Sequence, residues 1–163
     1  MKSLVLLVGV PGSGKTTLSK TLTDRGYKNM NADAIREELW GDAGDQREPA
    51  KVFEVFNQRL EEAFAQGLDI VIDNTNINSR HRDPILQRAK KAGYTDIQLW
   101  VLDVPLETCL AQNKMRERCV PEEIVNNYFK TLQTHGKPRS HEGKIVVVQR
   151  GAKDFEFKFF QVK

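Results

Sequence analysis

The chain has 163 residues, 39% of them hydrophobic and 29% charged, with a net charge of +3. These values suit one globular domain, exclude an intrinsically disordered chain, and leave little room for two full domains. The longest apolar run, Leu4 to Val8, is far shorter than the ~20 residues a membrane-spanning helix needs. It flows directly into a glycine-rich loop, so no signal peptide is predicted and a cytoplasmic location is expected.

Two cysteines, Cys109 and Cys119, form no C-x-x-C pair and are expected to stay reduced. Charge is unevenly spread. Residues 1–109 are slightly acidic, whereas residues 110–163 carry the positive excess. A second basic cluster, Arg80, Arg82, Arg88, Lys90 and Lys91, faces only Asp83. Such clusters suit an anionic partner, or serve as ordinary solvated helix faces.

In chain order, Leu4–Val8 reads as a buried strand and Thr16–Arg25 as a helix closed by Gly26. A short extended piece, Tyr27–Asn31, leads to a second helix from about Asp33 to Trp40. Gly41–Pro49 is polar and reads as a loop. Val52, Phe53, Phe56, Leu60, Ala63 and Phe64 fall at helical spacing, so a helix is predicted over about 50–66. Ile70–Ile72 is a second buried strand, followed by a helix over about 79–92 that ends at Gly93. Ile97–Leu102 is a third strand, closed by Asp103 and Pro105. Two helices are predicted at roughly 106–117 and 121–133, the second opening with Pro121, Glu122 and Glu123. Lys144–Val148 is a further strand. Phe155, Phe157 and Phe159 alternate with charged residues as a last strand, able to pair with the one before through a loop at 150–154. Strands alternating with helices imply an α/β fold with a mostly parallel sheet.

Gly9-Val10-Pro11-Gly12-Ser13-Gly14-Lys15-Thr16 matches G-x-x-x-x-G-K-[ST] in full, between a strand and a helix as the motif requires. Its glycines let backbone N–H groups approach phosphates, and the following helix adds the positive end of its dipole. Gly9, Pro11, Gly12, Ser13, Gly14, Lys15, Thr16 and Thr17 are the candidate ATP-binding residues, with Lys15 on the β- and γ-phosphates and Thr16 on Mg²⁺. A GTPase is excluded, because the nearest match to Asn-Lys-x-Asp is Asn113-Lys114-Met115-Arg116.

On the acceptor side, Asp33 stands at a helix start where a carboxylate can take the proton of an incoming hydroxyl, or can simply cap the helix. Arg36, one turn on, can hold an acceptor phosphate or lie on the surface as a plain charge. Asp73-Asn74-Thr75-Asn76 closes a strand at the end where α/β sheets place ligands. Ile70–Asp73 resembles a Walker-B strand whose acid serves Mg²⁺ through water, and Leu99–Asp103 competes for that role. Gln112, Lys114, Arg116 and Arg118 cluster where a lid helix can close over the triphosphate. His81, His135 and His141 share no metal-ligand spacing, and Trp40 and Trp100 read as core or edge packing.

Together, GVPGSGKTT (9–17), NADAIR (31–36), DNTN (73–76), QNKMR (112–116) and VPEEIVNNYFKTLQ (120–133) resemble the 5′-hydroxyl polynucleotide kinases, the P-loop kinase domain of phage and animal end-healing enzymes. The resemblance covers about Leu4–Gln133. It implies a P-loop kinase fold with a helical lid at about 106–133; the chain is read as a single domain over 1–163, its C-terminal strand pair at about 144–162 lying outside the matched motifs. It further implies ATP as donor, Mg²⁺, and a nucleic-acid 5′-hydroxyl as acceptor. Asp33 matches the family's general base, Arg36 the arginine on the adjacent substrate phosphate, Arg116 the lid arginine on the transferring phosphoryl group, and Lys15 and Thr16 the donor ligands. Asp73, Asn74, Thr75 and Asn76 match the substrate-side loop. Phage members carry aspartate at the position of Asn74 and arginine near Gln112. The family usually joins its kinase to a phosphatase, ligase or phosphoesterase, for which this chain has no room, so a separate partner is expected. Two alternatives stay open at this point: a P-loop kinase for a small metabolite, nucleoside or antibiotic, and a nucleotide-binding switch without transfer activity.

Overall fold

A computed structural model describes residues 2–150 and 157–162. Six strands form one sheet: β1 (Ser3–Val8), β2 (Lys28–Met30), β3 (Ile70–Ile72), β4 (Asp96–Leu102), β5 (Lys144–Arg150) and β6 (Phe157–Gln161). Their order is β2-β3-β1-β4-β5-β6. The first five strands are parallel, and β6 pairs antiparallel with β5, Arg150 opposite Phe157 and Val146 opposite Gln161. The helices are α1 (Lys15–Thr23), α2 (Ala32–Trp40), α3 (Pro49–Gln66), α4 (Ser79–Lys91), α5 (Leu106–Lys114) and α6 (Glu122–Thr131), the last running into a π-helical turn at Leu132–Gly136. No described helix is long and apolar enough to cross a membrane.

All six residues of β1 are buried, as expected of a central parallel strand covered on both faces. Side chains alternate across a strand, so β1 feeds two cores. Leu4 and Leu6 join Val52, Phe56 and Leu60 of α3 and Leu86 and Ala89 of α4. Val5 and Leu7 join Leu18 and Leu22 of α1, Cys109 of α5 and Val125 of α6. Because β1 lies between β3 and β4, the crossovers reverse direction there, and the loop after β1 opens at that switch point.

The expected elements recur with three differences. The helix predicted over 106–117 stops at Lys114, so Arg116 and Arg118 lie on the α5–α6 connection rather than on a helix. Asn113 explains the stop: its amide donates to the Val120 carbonyl at 2.6 Å and its oxygen accepts the Val120 N–H at 3.0 Å, pinching 114–119 into a loop. The helix predicted to end at 133 gives way to the π-helical turn. The last strand begins at Phe157 and runs to Gln161. Phe155 and most of the 150–154 loop lie outside the described residues. Phe159 of this strand is 51% exposed, with its ring edge-on to Trp100 at 5.3 Å.

Candidate active site

The loop at 9–14 is shaped by what lies against it. Gly12 has φ 85°, and a Cβ there would overlap the Cys109 carbonyl oxygen of α5. Only glycine satisfies both that backbone conformation and that approach. The Gly9 N–H donates to the Thr75 carbonyl at 3.0 Å and the Ser13 N–H to Val10 at 3.2 Å. Gly9 and Pro11, which has no N–H, therefore frame the loop instead of lending donors to it. The Ser13 hydroxyl is buried without a partner among the described residues.

Lys15 points its ammonium at the Val10 carbonyl, 2.9 Å away. Burial pushes its pKa down to about 8, against the opposing pull of the Asp73 carboxylate; Arg116 lowers it further and Asp33 raises it. Lys15, Asp73, Arg116 and Asp33 therefore share one electrostatic neighbourhood. Thr16 is exposed and Thr17 half-buried at the start of α1.

Of the two competing acids, Asp73 joins the loop and Asp103 does not. Asp73 is 6% exposed and accepts from the Ser19 hydroxyl of α1 at 2.9 Å, which also bonds the Thr16 carbonyl. Asp103 is exposed and bonded to Gln149. The rest of the 73–76 loop divides its work. Asn74 accepts the Ala32 N–H at 3.0 Å and so holds the start of α2. Asn76 departs from expectation. It is buried with φ 51°, and its amide donates to the carbonyls of Leu7, Ile72 and Asn74. A side chain so occupied acts as a strut between β1 and the loop. The left-handed conformation there is one asparagine tolerates.

At the start of α2, Asp33 is not the cap. The cap is Asn31, whose side chain accepts from the N–H groups of Asp33 and Ala34 at 2.8 and 3.2 Å. The Asp33 carboxylate is thus left for ion pairs, and it makes two. Arg36 bonds one oxygen and Arg118, from the loop after α5, bonds the other at 2.9 Å. Arg36 is no surface charge: its side chain is 11% exposed and its Nε is buried without a partner among the described residues. Arg116 is exposed. Gln112 is half-buried on α5.

Two members of the basic cluster at 80–91 are spent inside the fold, while Arg80, Lys90 and Lys91 face solvent. Arg82 is 1% exposed and bonds Glu142 at 2.7 and 3.3 Å, and it also donates to the carbonyls of Asn76 and Gly136. Despite its burial, Glu142 is held below the usual carboxylate range by these bonds and by the Arg139 N–H. Arg88 is occupied by Glu61 and Asn57. Burial raises the Cys109 thiol to about 11, so it stays neutral. Cys109 and Cys119 are both free thiols.

The loop, the acid beside it and the sheet order together define a P-loop kinase fold. The family model described as an AAA domain matches residues 4–135, and the chain belongs to that family. The L-seryl-tRNA(Sec) kinase of Methanococcus maripaludis is 28% identical over 82% of this chain and 53% of its own length. A protein of Autographa californica nuclear polyhedrosis virus, named as a bifunctional polynucleotide kinase/RNA ligase, is 28% identical over 82% of this chain and 21% of its own. The chain thus spans about half of the first relative and a fifth of the second. A chain of the Pnkp1/Rnl/Hen1 RNA repair complex superposes with TM-score 0.63 at 24% identity, over 80% of this chain and 44% of that one. The resemblance to the polynucleotide kinases read from the motifs holds in these relatives.

Proposed function

We propose that the chain transfers the γ-phosphoryl group of ATP to a hydroxyl carried by nucleic acid, the 5′-hydroxyl of a polynucleotide, DNA or RNA. The observation that carries the reading is Asp33. Its carboxylate is not spent on capping α2, lies within electrostatic reach of Lys15, and has arginines on either side. A nucleotide binder without transfer activity has no use for a base on that side of the phosphate loop. The relatives named as a seryl-tRNA kinase and a polynucleotide kinase support a nucleic-acid acceptor.

In the proposed step the acceptor oxygen bonds to the γ-phosphorus as the bond to the β,γ-bridging oxygen breaks. ADP leaves and Asp33 takes the hydroxyl proton. Lys15 and Arg116 meet the charge on the transferring group. Two features of the loop fit a triphosphate: the orphaned Ser13 hydroxyl and an ammonium held ready on a backbone carbonyl. The hard oxygen donors Thr16 and Asp73 fit Mg²⁺, the second through water. When bound there, the ion would supply positive charge against the triphosphate. Asn74 and Thr75 line the acceptor side, and a ligase or phosphatase is expected from a partner or a further domain.

Asp33→Asn keeps the shape and removes the base. Turnover should fall roughly 10²–10⁴-fold with ATP affinity unchanged, read by single-turnover transfer and by nucleotide titration. Collapsed ATP affinity with unchanged turnover at saturation would make Asp33 a nucleotide ligand instead.

A further inference from the structure

Asp33 carries one negative charge, yet two guanidinium groups are bonded to it. The trio therefore carries two positive charges against one negative; Asp42 also stands near Arg118, both having atoms within 3.6 Å of a Cβ placed at Gly44. The Arg36 Nε, buried and unpartnered among the described residues, is a second sign of a missing acceptor atom. A buried donor left unpaired is costly, so a site that keeps one is suited to an acceptor oxygen that arrives later. One more anion would balance the trio.

The two arginines are not equivalent. Arg36 is fixed on α2 and nearly enclosed, at 11% exposure, whereas Arg118 is 38% exposed and reaches Asp33 from a different part of the chain. Its loop is closed at its ends, where Asn113 clasps Val120, and is braced within by the Cys119 thiol on the Lys114 and Arg116 carbonyls. The loop preceding α3 lies alongside, since a Cβ at Gly44 would sit 3.6 Å from the Arg118 Cδ and Nη1. Arg118 is thus placed where the α5–α6 loop meets the acceptor side.

We propose that Arg118 is a specificity-determining residue for the acceptor: with Arg36 it grips the phosphodiester next to the reacting hydroxyl, moving off Asp33 to do so. The incoming phosphate supplies the missing charge, and the fork geometry of arginine suits two phosphate oxygens. The same movement uncovers an oxygen of Asp33 for the hydroxyl proton and draws the α5–α6 loop onto the acceptor. A hydroxyl compound without a neighbouring phosphate would leave Arg118 on Asp33 and be phosphorylated poorly. This inference rests on the nucleic-acid reading above.

The test compares Arg118→Ala and Arg118→Lys with the parent on three acceptors: a 5′-hydroxyl oligonucleotide, a nucleoside 3′-phosphate and the same nucleoside without phosphate. For Arg118→Ala, KM for the first two should rise about tenfold or more while KM for ATP stays the same. The preference for nucleoside 3′-phosphate over nucleoside, taken as a ratio of kcat/KM, should shrink by a similar factor. The salt slope of oligonucleotide binding should flatten by about 0.7, the value of one phosphate contact on a single strand. Arg118→Lys should recover part of the preference, because it keeps the charge without the fork. An unchanged preference ratio in Arg118→Ala, whether activity is intact or uniformly lost, overturns the proposal, as does a tenfold rise in KM for ATP alone. A parent that labels no nucleic acid overturns the proposed function first and this inference with it. A parent active on oligonucleotides whose Arg118→Ala variant discriminates as before overturns this inference only.

Discussion

Lys15 is a partly buried cation whose ammonium is turned inward onto the Val10 carbonyl, and desolvation there lowers its pKa to about 8. Above pH 8 the nucleotide-free protein sheds this proton, whereas bound phosphates favour the charged form. Binding ATP above pH 8 must then include proton uptake. Affinity should fall as pH rises from 8 to 9.5, by up to about tenfold per unit. Calorimetry in buffers of different ionisation enthalpy should show the uptake, and Lys15→Arg, which stays charged, should flatten the dependence. A flat profile in the parent would mean that Lys15 is not the group facing the phosphates. Other residues show why site identity was only partly legible. The motif alone marks Lys15 and Thr16. Asp73 and Asp103 were equivalent on paper, because each closes an apolar strand; the Ser19 bond of Asp73 separates them. Asn76 looked like its neighbours 73–75, and nothing in one sequence reveals that its amide is spent on three carbonyls.

At the scale of elements, the Arg82–Glu142 pair ties four pieces of chain together. Arg82 comes from α4, Glu142 from the approach to β5, and the two carbonyls it bonds belong to the 73–76 loop and the π-helical turn. The close approach of that turn is sealed at Gly136, where a Cβ would overlap the Ile77 carbonyl oxygen. Removing either partner leaves a buried charge unpaired, which costs about 3–5 kcal/mol. Glu142→Gln and Arg82→Met should each lower Tm by roughly 6–20 °C, taking 2–4 °C per kcal/mol for a chain of this size. The double variant Arg82→Met/Glu142→Leu should be less damaged than their sum, since it strands no charge. Singles that melt within 2 °C of the parent would remove this pair from the account of how the loop is held. The strands and helices themselves were legible from periodicity, caps and glycine stops. The pair was not, because Arg82 sits among arginines and lysines that do face water, and its partner is 60 residues away. The early end of α5 was hidden for the same reason: Asn113 acts through Val120, across a loop.

Over the whole molecule, five parallel strands with helices on both faces bring three separate chain segments to the carboxyl end of β1. The phosphate loop follows β1, Asp33 and Arg36 follow β2, and Asp73 follows β3. The α5–α6 loop then brings Arg118 to Asp33. That convergence is a property of strand order. It became readable only through the resemblance of the motifs, since spacing along a chain does not tell which strands are neighbours. The proposed role of this convergence is to serve an acceptor hydroxyl borne by nucleic acid. Incubating the protein with γ-labelled ATP, Mg²⁺ and a panel of 5′-hydroxyl DNA and RNA oligonucleotides, seryl-tRNA, free nucleosides and sugars tests it most directly. The account predicts label on nucleic acid, foremost on 5′-hydroxyl ends, lost in Asp33→Asn; label confined to nucleosides or sugars, or absent from every acceptor, would contradict it.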